Sequence, residues 1–144
     1  MTRTITKERT EALAELLSKA STITVVTHIR PDGDAVGSSL GIVRYLQETL
    51  GKKAKALFTG RWSGTLDFLF SDRSIASSAV FDEDPEACLD WISASDLIVC
   101  LDCSGFKRVE PLETALKASG AKKVLIDHHR EPELDQFDLA FSET

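Results

Sequence analysis

A chain of 144 residues with 42% hydrophobic content can bury roughly two thirds of its unfolded surface, which excludes a disordered chain and sets the expectation of one domain over residues 1–144. A formal net charge of −6 excludes nucleic-acid binding through a broad basic face, although an acidic protein can take phosphate ligands when its carboxylates carry multivalent cations. The longest apolar runs, such as Leu97 to Leu101, fall far short of the roughly 20 residues that span a bilayer.

The opening residues Met1 to Thr10 mix Arg, Lys, Thr and Glu without a secretory apolar core, and the three cysteines, Cys88, Cys100 and Cys103, are an odd number. Both features predict a cytoplasmic protein with reduced thiols. Leu13, Leu16 and Leu17 recur at helical spacing between Thr6 and Ala20, which predicts an amphipathic first helix. Ser21 to Thr27 reads as a strand entering a turn at His28 to Asp34, with Pro31 fixing the turn. A second helix follows from Asp34, carrying Val36, Leu40, Val43 and Leu46 on one face until Gly51.

Ala54 to Thr59 is a predicted second strand, and Trp62, Leu66, Phe68, Leu69 and Phe70 a packing segment. Ile75 to Phe81 is read as an edge strand, and Asp84-Pro85 as the start of a helix reaching Trp91. Asp96 to Asp102 is a nearly continuous apolar run ending in a carboxylate, the pattern of a strand covered on both faces. Pro111 to Ser119 is a predicted helix, and Lys122 to Ile126 a last strand running into Asp127, His128 and His129. This alternation predicts an α/β fold: an open, mostly parallel, doubly wound sheet with helices on both faces. The tail from Glu131 to Thr144 is too short to form another domain.

His28 with Asp32 and Asp34, then Asp102, then Asp127 with His128 and His129 each follow an apolar strand. In a parallel sheet the carboxyl ends of the strands share one edge, so these groups are expected to converge there. A mixed His and Asp set suits borderline or hard divalent ions such as Mn²⁺, with zinc also open. If His28, Asp32 and Asp102 hold one ion while Asp34, Asp102 and His128 hold another, Asp102 bridges a pair about 4 Å apart, suited to phosphoester hydrolysis.

Each feature has a plainer reading on its own. Asp32-Gly33-Asp34 is most often a turn with a helix cap, Asp102 can cap a turn, and a histidine after a strand is usually just hydrogen bonded. Their combination at three consecutive strand ends is what points to metal. Cys100 and Cys103 have C-x-x-C spacing, but Cys100 falls inside a strand, so redox chemistry is not expected. Gly37, Ser38, Ser39 and Gly41 lie too far into the helix for a phosphate loop and suggest close helix-to-sheet packing. Arg30, Lys107, Arg108 and Arg130 flank the turns and are candidates to grip phosphate oxygens, against the plainer role of exposed solubilising charge.

The stretch Thr27-His28-Ile29-Arg30-Pro31-Asp32-Gly33-Asp34-Ala35-Val36-Gly37-Ser38, then Leu101-Asp102, then Asp127-His128-His129 resembles the first three motifs of the DHH phosphoesterases, closest to the oligoribonuclease and pAp-phosphatase type. The resemblance implies His28, Asp32, Asp34, Asp102 and His128 as manganese ligands, His129 acting on the scissile phosphate, and Asp127 supporting the histidines. It further implies that a fourth metal-binding Asp and a substrate-gripping DHHA1 domain lie beyond this stretch, so that residues 1–144 alone are expected to be weakly active or inactive. The substrate expected is a short oligoribonucleotide or 3′-phosphoadenosine 5′-phosphate, with no membrane partner and a homodimer left open. Two rivals stand: a cyclic-dinucleotide phosphodiesterase, and a non-catalytic metal- and nucleotide-binding module.

Overall fold

The computed structural model describes residues 5–103, 105–127 and 134–142. Helix α1 spans Lys7–Lys19 and is capped by Thr6, whose side chain accepts from the Arg9 amide at 3.2 Å. Glu8 in its first turn and Lys19 in its last oppose the helix dipole, while Leu13, Leu16 and Leu17 face the core. Strand β1, Thr22–Thr27, is buried from Ile23 onward. Helix α2, Gly33–Glu48, starts where the Asp32 carboxylate caps the Ala35 amide at 2.9 Å. It ends three residues before Gly51, whose φ of +66° makes the left-handed turn that leads the chain back to the sheet.

Strand β2 is Lys53–Phe58, helix α3 Asp72–Ala76, strand β3 Ser78–Val80 and helix α4 Pro85–Ala94. Strand β4, Leu97–Leu101, is buried at every position, as its continuous apolar run requires. Helix α5, Glu113–Ala118, strand β5, Lys122–Asp127, and strand β6, Leu139–Ser142, complete the regular elements among the described residues. All pairings are parallel, and the strand order is β3-β2-β1-β4-β5-β6. Helices α1 and α2 cover one face, over Ile23, Val25 and Val99; α4 and α5 cover the other, over Val26, Ile98 and Leu125. This is the doubly wound α/β architecture expected from the sequence. The direction of growth reverses between β1 and β4, so their carboxyl ends diverge and leave the crevice in which such sheets bind ligands.

Several local expectations are corrected. Residues 75–76 end α3 rather than begin a strand, because Ser71 caps Ser74 and closes a helical turn there. The strand over Lys122 to Asp127 is not the last: β6 extends the sheet beyond β5, with Ala140 and Phe141 buried. Trp62 and Phe70 stack with ring centres 3.9 Å apart, and Phe58 meets both edge-on. Phe68 instead is 79% exposed and outside that packing. Gly37 and Gly41 face open space where a Cβ would be, so close helix-to-sheet approach does not account for them. Cys100 and Cys103 are joined by a disulfide rather than held as free thiols, because the turn after β4 brings Cys103 back against the buried side of Cys100. Among the described residues no helix is long and apolar enough to cross a membrane.

Candidate metal centre

The crevice between β1 and β4 is where two of the three suspected turns meet. β1 delivers His28 and β4 delivers Asp102, and the register that pairs Thr27 with Leu101 sets them side by side. His28 Nε2 lies 3.5 Å from Asp102 Oδ2 and 3.9 Å from Asp32 Oδ1. One ligand atom from each of these three residues falls within 4.8 Å of the other two. Asp32 reaches the cluster because it caps α2, which fixes its carboxylate at the helix start.

The histidine is oriented by its own backbone. Nδ1 lies 2.6 Å from the Ile29 carbonyl oxygen, and since a carbonyl can only accept, Nδ1 carries the proton. In the neutral ring the lone pair then belongs to Nε2, the nitrogen facing the two carboxylates. That nitrogen and the two carboxylate oxygens are together a donor set that suits a divalent cation. The donor set therefore fits a metal ion on its own chemistry.

Asp102 is held from two directions. Its amide donates to the Ile126 carbonyl at 3.0 Å, tying the end of β4 to β5, and its φ of 54° turns the chain sharply out of the sheet. Non-glycine residues enter that left-handed region rarely, with Asp and Asn among the more frequent, and they do so most often at functional turns. Asp34, in the first turn of α2, and Asp127, buried at the end of β5, border with Asp102 a groove of about 610 Å³ floored by Leu101 and Ile126. The third turn begins at Asp127, but His128, His129 and Arg130 lie outside the described residues.

Of the basic candidates, Arg30 adopts φ 53° directly after Ile29, and Lys107 and Arg108 sit exposed on a short 3-10 turn, Phe106–Val109. The Ile29 amide donates to the Arg108 carbonyl at 2.8 Å, so the loops bearing Arg30 and Arg108 are bound to each other beside His28. One neighbour of the cluster has no role assigned from the sequence. Thr27 opens the first motif stretch but reads there as a strand-forming residue, whereas in the fold it is fully buried and its hydroxyl has no hydrogen-bond partner among the described residues.

The fold and this cluster define a doubly wound α/β domain with a His and Asp cluster at its switch point that could hold a cation. Residues 22–143 match the DHH family, N-terminal domain, and the chain belongs to the DHH family. Over 133 residues it is 33% identical to the bifunctional oligoribonuclease and PAP phosphatase NrnA of Bacillus subtilis, a match covering 92% of this chain and 36% of that protein. It is 26% identical over 133 residues to the cyclic-di-AMP phosphodiesterase PdeA of Listeria monocytogenes, covering 92% of this chain and 20% of the relative. The crystal structure of an exopolyphosphatase-related protein from Bacteroides fragilis superimposes with a TM-score of 0.89 at 28% identity, over 99% of this chain and 41% of that one. The chain thus spans well under half the length of each of these proteins.

Proposed function

We propose that this chain is the metal-binding portion of a phosphoesterase that uses two divalent cations, Mn²⁺ foremost, to hydrolyse short oligoribonucleotides, 3′-phosphoadenosine 5′-phosphate or both. The observation that carries the reading is the meeting of His28, Asp32 and Asp102 at the crevice between β1 and β4. His28, Asp32 and Asp102 would hold one cation, and Asp34, Asp102 and His128 the other. When bound, such a pair supplies Lewis acidity toward the phosphoryl oxygens and a water acidified enough to attack phosphorus.

The protein's own groups have separate tasks. Asp102 would contribute to both positions, and its backbone anchor to β5 would hold its carboxylate in place. His129 would protonate or steady the leaving oxygen, and Asp127 would orient the neighbouring histidines. Arg30, Lys107, Arg108 and Arg130 would grip the phosphate, Arg30 and Arg108 from loops already bonded through Ile29. The protein works in the cytoplasm, and a DHHA1 domain in a longer form supplies the other wall of the cleft. A homodimer remains one assembly open to it.

The test sets three substrates side by side with Mn²⁺: a short oligoribonucleotide, 3′-phosphoadenosine 5′-phosphate and cyclic di-AMP. Hydrolysis of the first two at about tenfold or more above the third, abolished by Asp102→Asn, is the expected result. Preference for cyclic di-AMP, the substrate named for the Listeria relative, would move the protein to that branch. Binding of Mn²⁺ and nucleotide without any turnover, in this chain and in a form carrying the second domain, would leave a non-catalytic module.

A further inference from the structure

Thr27 closes β1 with 1% of its surface exposed and a hydroxyl that has no hydrogen-bond partner among the described residues. Other equally buried hydroxyls on these elements are satisfied: Thr24 Oγ1 meets Ser95 Oγ at 2.7 Å, and Ser39 Oγ donates to the Ala35 carbonyl at 2.7 Å. Burying a hydroxyl without a partner costs folding free energy that a valine of the same shape would not cost. Positions 25 and 26 of the same strand are valine. The hydroxyl at 27 therefore calls for an explanation outside the apolar core.

Its position supplies one. Strand alternation places Thr27 on the same face as Ile23 and Val25, the face covered by α2, whose first turn carries Asp34. Thr27 is in register with Leu101, which floors the groove bordered by Asp34, Asp102 and Asp127, and the next residue along the chain is His28. Two proposed ligands, His28 and Asp102, thus directly follow Thr27 and its register partner, and a third, Asp34, lies in the first turn of the helix over that face.

We propose that Thr27 is a positioning residue for the cation centre, its hydroxyl donating to an oxygen of the ligand carboxylates once a divalent ion is bound. The proposal rests on the metal-site reading above. Donors of this kind fix the orientation of ligand carboxylates, and their loss typically weakens metal affinity by about 10- to 100-fold.

The experiment measures Mn²⁺ affinity by calorimetry, and the thermal midpoint in EDTA, for the wild type, Thr27→Val, Thr27→Ser and His28→Ala. Thr27→Val should bind Mn²⁺ about tenfold or more weakly while its metal-free midpoint holds or rises, and Thr27→Ser should restore affinity to within about twofold. A merely structural threonine would give the opposite pattern: a lowered metal-free midpoint in the valine variant with Mn²⁺ affinity unchanged. That pattern overturns the proposal, as does valine lowering both quantities or serine failing to restore binding. If the wild type itself binds no Mn²⁺, or His28→Ala binds it as tightly, the metal-site reading fails and the role of Thr27 falls with it.

Discussion

His28 and Asp102 each directly follow a different strand, and the parallel register of β1 and β4 brings Nε2 of one to 3.5 Å from Oδ2 of the other. Asp102→Asn removes the charge while keeping a residue that tolerates the φ of 54° at this turn. The metal-free variant should therefore melt close to the wild type. A wild type given Mn²⁺ at a hundred times its Kd gains about 2.7 kcal/mol of stability, and this gain should vanish in the variant. Thermal melts with and without Mn²⁺ provide the measurement, and an undiminished upward shift in Asp102→Asn would remove Asp102 from the centre.

The site was more legible in the sequence than its surroundings. An apolar strand followed by His or Asp places that residue at the carboxyl edge whatever the details of packing, so the meeting of His28, Asp32 and Asp102 follows from the sequence pattern. The central strands announced themselves by continuous burial, as at Leu97–Leu101. What the sequence does not show is set by packing contacts, some distant in the chain and some within one turn. Residues 139–142 look like a loose tail until β5 offers an edge to pair with. Phe68 resembles its aromatic neighbours in sequence, but the stack of Trp62 on Phe70 leaves it outside. Thr27 opens the first motif stretch but is an ordinary strand residue by propensity, and the absence of a partner for its hydroxyl among the described residues is what points to a role for it. Cysteine count and strand position suggest reduced thiols at Cys100 and Cys103, whereas the tight turn at Asp102 brings the two together in a disulfide.

Asp96 offers a pH-dependent test at the opposite end of the sheet. Burial raises its pKa, but the Ser21 and Thr22 amides and the Ser21 hydroxyl bond the anion and more than offset this, leaving the carboxyl below its ordinary value. A pKa lowered by folding means that the stabilisation is present above the unfolded value of about 3.9 and is lost as pH falls through the lower folded value. Because the group is exposed, solvent screens the effect, and Asp96→Asn should cost at most about 1 kcal/mol at pH 7. Urea midpoints of variant and wild type should converge toward pH 3. A gap that stays constant down to that pH would show that the charge on Asp96 plays no part.

Thiol chemistry distinguishes the three cysteines. Burial, reinforced by the Asp84 carboxylate, pushes the Cys88 thiol up to about 11, and its side chain is wholly covered beneath α4. The native protein at pH 8 should therefore not react with a thiol reagent, since the reactive species is the thiolate. In denaturant without reductant a single thiol, that of Cys88, should titrate, and reduction should add Cys100 and Cys103. Three thiols before reduction would mean that the pair flanking Asp102 is open in solution.

Arg30 separates backbone strain from phosphate recognition at one position. Its φ of 53° lies in the left-handed region, where a side chain costs about 1–2 kcal/mol that glycine avoids. Arg30→Ala keeps that cost and loses the guanidinium, whereas Arg30→Gly loses both. The glycine variant should therefore be the more stable of the two by about 1 kcal/mol, less whatever glycine's freedom in the unfolded chain takes back. If the guanidinium grips the substrate phosphate, as its loop's bond to Arg108 through Ile29 favours, both variants should raise KM by about tenfold or more, the loss of one hydrogen bond to a charged group. The two readouts fail independently. Equal midpoints for glycine and alanine would show that the turn is unstrained, and an unchanged KM in both would return Arg30 to the role of an exposed surface charge.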